Sequence, residues 1–244
     1  GSSGRCRPAC HRGAVTVWGA ITIERFEPAP ALVVATGLGA FFAVALDAVW
    51  RWSRNVVTIV HEGGHAVAAL LTGRRLTGIR LHSDTSGLTL TVGRPTGPGM
   101  VLTAAAGYVS PSLVGLAGVA LLGFDQVTIM LWGAAAVLVA MLVMVRNLYG
   151  ALVLVLVGGA VVAVSLYASP GVQAGFGYAL TWFLLLGGVR PVVELWRQRH
   201  DRMGQASDAA QLARLTHVPV ALWTGLFLLV ALGAAGAGAW VMLT

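Results

Sequence analysis

The segment His61-Glu62-Gly63-Gly64-His65 contains the residues best suited to chemistry. On a helix, His61 and His65 lie on one face, where two imidazoles can bind one tetrahedral Zn²⁺ at about 2.0–2.1 Å. Glu62 can face the open coordination position, take a proton from a water there and pass it to a leaving amine. The spacing therefore predicts a zinc site with Glu62 as general base and acid.

The flanking residues make this motif more specific than its spacing alone. Its three ionisable side chains lie between Val-Val-Thr-Ile-Val and Ala-Val-Ala-Ala-Leu-Leu, in an apolar run of membrane length. Ionisable groups are costly in a bilayer, so such a cluster indicates a functional site. Two alternatives remain, namely histidines that only join helices by hydrogen bonds and a metal site that cleaves no peptide. Gly63 and Gly64 fit either a closely approaching substrate backbone or close helix packing.

The composition predicts an integral membrane protein. Of the 244 residues, 57% are hydrophobic and 10% are charged, and the mean hydropathy is +0.81. Soluble domains are about 25% charged, and a bilayer removes the need to bury so much apolar surface. The net charge of +7 fits the basic loops that orient membrane proteins, so we expect no nucleic-acid partner.

The apolar segments predict an all-α membrane protein with about seven transmembrane helices and one small β-hairpin. About 20 apolar residues cross a bilayer as a helix, so the long apolar run at 127–168 is divided in two at Arg146-Asn147. Alternating apolar and polar residues around a turn at 83–87 predict the hairpin at 76–93. The predicted spans are 29–50, 55–73, 100–123, the two within 127–168, 174–195 and 220–243.

The basic residues predict the orientation of the chain. We expect residues 1–28 to form a basic, disordered tail ahead of a single transmembrane, metalloprotease-like domain at 29–244. With a cytoplasmic tail and seven spans, the basic residues at 74–94, 146 and 197–214 fall on the cytoplasmic side, as in most membrane proteins. Arg51 and Arg54 then fall on the opposite side. The predicted orientation has the N-terminus in the cytoplasm and the C-terminus outside.

The motif and the segments after it resemble the site-2 protease family of intramembrane zinc metalloproteases. The resemblance rests on His-Glu-Gly-Gly-His-Ala, the following Leu-Thr-Gly and hairpin, and the small-residue run at 106–111. It is strongest to the compact branch of bacteria and plants that lacks a PDZ domain. It implies cleavage within or beside a transmembrane helix of a membrane-protein substrate, with the hairpin holding an unwound strand. We accordingly expect a protein of the bacterial cell membrane, in contact with lipid.

The third zinc ligand departs from the family pattern. The family supplies it from an Asp-Gly on a later helix, but residues 151–157 after Arg146-Asn147-Leu148-Tyr149-Gly150 contain no acid. Asp47 can pair with Arg51 four residues on. Excluding it and the acids of the tail, outer loop and hairpin tip leaves Glu194, Asp201 and Asp208, with His217 in reserve. Asp208 is favoured because Ser207-Asp208-Ala209 resembles a motif of the compact branch. It must then reach His65, roughly 12 Å from the inner end of its span.

Several alternatives remain open at this stage. Ser207 or Asp208 can instead cap a short amphipathic helix. Asn147 is expected either to bind the substrate backbone or to cap a helix. The missing Asp-Gly keeps a non-catalytic membrane scaffold or regulator of the same fold as a rival function. A metal or proton transporter is a further rival, but the two spans within 127–168 lack the polar residues that it needs.

Overall fold

The computed structural model describes residues 29–198 and 207–244. The predicted tail at 1–28 and the reserve ligand Asp201 lie outside the described residues. The described segments form nine helices and one two-stranded sheet. In chain order they are α1 (Pro30–Ala45), α2 (Asp47–Leu71), β1 (Arg75–Leu81), β2 (Gly87–Val92), α3 (Pro98–Gly123), α4 (Val127–Met144), α5 (Leu148–Tyr167), α6 (Pro170–Gly187), α7 (Val189–Gln198), α8 (Asp208–Thr216) and α9 (Val220–Leu243).

Five of these helical segments are long and apolar enough to cross a membrane. They are α3, α4, α5, the pair α6–α7 and α9. The pair α1–α2 adds a sixth span at most, because α1 has only 16 residues and the two helices are bent by 102° at their junction. The prediction of a helical membrane protein with one hairpin is confirmed, whereas the count of seven spans is not.

The first helix break lies earlier in the chain than predicted. Residues 51–54 were expected to form a loop between two spans, but they lie inside α2, and the helix is interrupted at Leu46. The reason is a distant arginine. Arg190 of α7 donates to the carbonyls of Val44 and Ala45 at the end of α1 and pairs with Asp47 at the start of α2. These contacts satisfy the backbone groups that the bend leaves open.

The predicted hairpin is confirmed and folds back along α2. Gly73 turns the chain out of α2 with φ +72°, in the left-handed region that favours glycine. The two strands pair antiparallel, with Leu81 opposite Gly87 beside the turn. The hydroxyl of Thr58 in α2 donates to the carbonyl of Thr85 in the turn at 2.9 Å. The hairpin therefore lies beside the helix that carries the histidines.

The connection between α4 and α5 covers the second edge of β1. The backbone N–H of Arg146 donates to the carbonyl of Ile79 at 2.8 Å. The side-chain amide of Asn147 donates to the carbonyl of Leu81 at 2.6 Å, and its oxygen accepts from the Leu81 N–H at 3.2 Å. Residues 146–147 thus occupy this edge of β1 much as a third strand would. The outer edge of β2, by contrast, pairs with no strand in the described part of the chain.

Helices α2 and α3 pack closely beside the motif. A methyl group on Gly64 would lie 2.6 Å from Cβ of Ser110 and 2.9 Å from the carbonyl of Ala106. The hydroxyl of Ser110 donates to the carbonyl of Val60 at 3.0 Å. At Gly64 the structure thus bears out the close-packing alternative. This packing fixes the distance between the histidines of α2 and the residues of α3 that face them.

Candidate metal centre

Helix α2 presents the two histidines of the motif on one face. Nε2 of His61 and Nε2 of His65 lie 3.1 Å apart, and the rings meet edge to face. Nδ1 of His65 is 2.7 Å from the carbonyl oxygen of Thr103 in α3. A carbonyl oxygen only accepts, so Nδ1 carries the proton of the neutral ring and Nε2 keeps its lone pair.

Asp208 reaches these histidines because α8 packs into the bundle. Oδ2 of Asp208 lies 3.1 Å from Nε2 of His61 and 3.3 Å from Nε2 of His65. The side chain of Ser207 caps α8 by accepting from the backbone N–H of Ala210. Ser207 therefore provides the cap, and the carboxylate of the adjacent Asp208 remains directed at the histidines. The apolar face of α8 includes the fully buried Leu212, and it holds Asp208 at the required depth.

The three atoms have the spacing that a tetrahedral zinc requires. Two ligands at about 2.0–2.1 Å from a tetrahedral metal are about 3.3 Å apart, close to the separations of 3.1–3.3 Å found here. The lone pair of His65 Nε2 and the carboxylate oxygen of Asp208 are both acceptors. A cation between them removes their repulsion, so the donor set fits Zn²⁺.

The charge state of Asp208 also suits a ligand. Burial by itself would raise the pKa of this carboxyl group. When they are protonated, the neighbouring imidazoles of His65 and His61 outweigh burial through their charge and their hydrogen bonds, and they hold the pKa below its ordinary value. The carboxyl group is therefore ionised at neutral pH, the state in which a carboxylate binds a metal.

Glu62 lies beside His61, His65 and Asp208, which together form the metal group, and strand β2 positions it. Only 3% of the residue is exposed, and its Oε2 accepts from the hydroxyl of Thr89 at 2.6 Å. A methyl group on Gly87 would lie 2.6 Å from Cδ of Glu62, so the strand packs directly on the carboxylate. In the described chain, the side chains whose ligand atoms converge are His61, His65 and Asp208, and Glu62 is not among them. Its carboxylate is thus available for proton transfer.

All four side chains line one cavity of about 850 Å³. Residues 87–91 of β2 form one wall, and residues of α3, α7 and α8 form others. A family model described as Peptidase M50B-like matches residues 34–238, a range that contains every one of these groups.

The chain belongs to the Peptidase M50B-like family.

Membership confirms the predicted relationship to the site-2 proteases. It also supports an integral membrane metallopeptidase as the general class of this protein. Neither a curated protein nor a solved structure matches the chain with significance. The assignment of individual residues in this M50B-like chain therefore rests on its own geometry.

The reserve ligands that the structure describes have other contacts. Glu194 lines the cavity, but its carboxylate pairs with Arg54 and Arg190, each at 3.1 Å, and accepts from the indole N–H of Trp50. His217 ends α8 in the left-handed conformation with φ +59°. Neither belongs to the group formed by the two motif histidines and Asp208.

Asn147 occupies the N-cap position of α5, and its expected contact with substrate stays a prediction. It directly precedes α5, yet its side chain makes no capping bond to that helix. Both ends of the side-chain amide are instead bonded to the backbone of Leu81 in β1. In the M50B-like fold of this chain, Asn147 therefore holds the hairpin in place, and an effect on substrate would pass through the hairpin.

Sequence reasoning missed several residues that shape the site. Thr103 contributes a backbone carbonyl, which no side-chain pattern can reveal. Thr89 and Gly107 face Glu62 and the two histidines respectively. Alternate residues of a strand share a face, so Gly87, Thr89 and Thr91 lie on the same side of β2. This alternation could have identified Thr89 as a residue that faces the site. Arg74 was counted only for its charge, although it lines the cavity.

Proposed function

We propose that this chain is an intramembrane zinc metalloprotease that cleaves a peptide bond in or beside a transmembrane segment of a membrane-protein substrate. The observation that carries the proposal is the convergence of His61, His65 and Asp208 at 3.1–3.3 Å in the cavity that also holds Glu62. Membership of a peptidase family supports the same conclusion. The proposal includes Zn²⁺ as cofactor, the bacterial cell membrane as location and a cytoplasmic N-terminus.

In the proposed hydrolysis, metal binding and proton transfer are carried out by different residues. His61, His65 and Asp208 would hold Zn²⁺, which supplies a Lewis acid and lowers the pKa of a bound water to about 7. The carbonyl of Thr103 keeps His65 in the tautomer whose Nε2 faces the site. Glu62, oriented by Thr89, takes the proton of the attacking water and returns it to the leaving nitrogen. The wall formed by β2 gives an extended peptide a surface beside Glu62.

Zinc content tests the ligand set. We expect about one zinc per detergent-purified wild-type chain, measured by mass spectrometry. His65→Ala and Asp208→Asn should lose zinc because each removes one of three protein ligands. Glu194→Gln is the matched control for Asp208→Asn, because Glu194 is an acid of the same cavity outside the metal group. It should retain zinc. Zinc lost in Glu194→Gln and kept in Asp208→Asn would reassign the third ligand.

Glu62→Gln separates metal binding from catalysis. The amide cannot accept the proton of water, so this variant should keep zinc while cleavage of a transmembrane substrate falls by about 100-fold or more. A wild-type chain that binds zinc and cleaves no membrane-inserted peptide would favour a non-catalytic regulator of the same fold. A wild-type chain without zinc, even after incubation with the metal, would contradict the metalloprotease altogether.

A further inference from the structure

Arg74 is a buried arginine in the wall of the catalytic cavity. Only 9% of the residue is exposed. Nε and Nη2 donate to the hydroxyl of Thr91 at 3.4 and 3.2 Å, and Nη1 donates to the carbonyl of Arg94. Among the ion pairs of the described residues, none includes Arg74.

Within the described residues, this environment leaves the charge of Arg74 without a counter-ion. A guanidinium group stays protonated in proteins and carries five N–H donors, of which three are used in the bonds above. Two donors thus have no acceptor within the described chain. Burial of an ion that no opposite charge compensates is costly. A carboxylate can satisfy both the charge and the two remaining donors, because it matches the fork of a guanidinium.

The position of Arg74 relative to Glu62 defines where such a carboxylate would come from. Gly87 and Thr89 of β2 contact Glu62, and Thr91 contacts Arg74. Thr89 and Thr91 are two residues apart on one strand face, or about 6.6 Å. An extended peptide that pairs with the outer edge of β2 and presents its scissile bond to Glu62 therefore brings a side chain near Arg74, two residues away.

We propose that Arg74 forms a subsite for an acidic side chain of the substrate, two residues from the scissile bond. The subsite rests on the proposed proteolytic function, since it needs a peptide in the cavity. It would make the enzyme select substrates with Asp or Glu at one position of the unwound segment. The same interaction would fix the register of the peptide on β2, and thereby the bond that Glu62 and the metal group act on.

Binding to Glu62→Gln tests the subsite without turnover. The probe is a fluorescent host peptide of fixed apolar sequence that carries one Asp, Asn or Lys, moved along its central positions. We expect one position at which Asp strengthens binding about tenfold or more over Asn, as for a buried charge pair. Adding Arg74→Glu should remove that preference and make Lys the preferred residue.

Two further variants keep the test conclusive. Arg75→Glu is the matched control, because Arg75 is adjacent, exposed and not part of the cavity wall. It should leave the preference for Asp unchanged. Arg74→Lys keeps the charge but loses the forked pair of donors, so it should show a weakened preference for Asp. This variant still tests the subsite if Arg74→Glu does not fold. Zinc content shows which variants keep the site intact.

The possible outcomes separate the subsite from the proposed function. Equal binding of the Asp and Asn peptides at every position would overturn the subsite, and Arg74 would then only brace the link between β2 and α3. An unchanged Asp preference in a zinc-retaining Arg74→Glu variant would do the same. Selective binding of the Asp peptide, together with no cleavage by the wild-type chain, would support the subsite and contradict the protease.

Discussion

Gly107 of α3 faces both imidazoles of the metal group. A methyl group at this position would lie 2.5 Å from Cε1 of His65 and 2.6 Å from Cε1 of His61. Carbon atoms cannot approach so closely, so the rings would have to turn or α3 would have to move. The convergence of His61 and His65 on Asp208 therefore depends on the empty space at Gly107.

We expect Gly107→Ala to weaken zinc binding by about 10- to 100-fold, as changes beside metal ligands commonly do. The added methyl group displaces both imidazoles from the positions that converge on Asp208. Zinc retention during titration with a chelator measures the effect. Gly133→Ala is the control, because a methyl group there would meet nothing within 4 Å. Equal zinc retention in the two variants would show that α3 yields to the methyl group.

The sequence named the three converging side chains, whereas it did not reveal the groups that support them. The spacing of His61, Glu62 and His65 was sufficient because a helix places residues four apart on one face. Elimination among nine acids left three candidates, and Asp208 was favoured because its segment resembles a motif of the compact branch. The carbonyl of Thr103 and the contacts of Arg74 depend on how separate segments meet, so no local pattern contains them.

At the scale of elements, the hairpin depends on the α4–α5 connection. The side chain of Asn147 makes two bonds to the backbone of Leu81, and Arg146 adds one to Ile79. Leu81 is 1% exposed, so water cannot readily replace lost partners. A rigid β1 holds β2, and β2 holds Glu62 through Thr89. Asn147 is thus a positioning residue for the carboxylate.

We expect Asn147→Ala to loosen the hairpin at a cost of about 1–3 kcal/mol for each backbone group left unpaired. Hydrogen exchange of the Leu81 amide should speed up, and cleavage should fall while zinc content stays unchanged. Gln173→Ala is the control, because Gln173 bonds carbonyls near the α5–α6 junction, away from the hairpin. Unchanged exchange at Leu81 would mean that Arg146 alone secures β1.

Helix and strand boundaries were predicted where the residues that cause them lie at the boundary itself. The interruption at Arg146-Asn147 and the turn formers at 83–87 mark a helix break and a hairpin in the sequence itself. The break at Leu46 was missed because its cause, Arg190, is remote in the chain and binds both flanking helices. Arg54 lies inside α2, where it pairs with Glu194 of the remote α7.

For the whole molecule, the bend at Leu46 bears on the number of membrane crossings, which the sequence predicted to be seven. At 1.5 Å per residue, α1 is about 24 Å long, shorter than the roughly 30 Å hydrocarbon core. If α1 and α2 together make one span, the membrane is crossed six times. An even number of crossings places both ends of the chain on one side, and Arg51 and Arg54 no longer follow a completed span.

Cysteine labelling in intact cells tests this count. With both ends in the cytoplasm, we expect Cys6 and Cys10 of the tail and an added cysteine in Thr244→Cys to resist a membrane-impermeant reagent in intact cells. Both ends should react once the cells are permeabilised. The Thr244→Cys variant is measured in a background with both native cysteines changed to Ser, so that each end is reported separately. Labelling of the two ends from opposite sides of the membrane would restore seven spans.

The distance along the chain between the metal ligands has a consequence for biosynthesis. Asp208 follows His61 by 147 positions (208 − 61), so a ribosome adding about 5–20 residues per second reaches it roughly 7–30 s later. During that interval the emerging polypeptide contains both histidines and Glu62 but lacks the carboxylate that completes their site. Under the proposed mechanism, a half-made chain would therefore cleave no peptide while it passes through the insertion machinery, and the other proteins there would not be degraded by it.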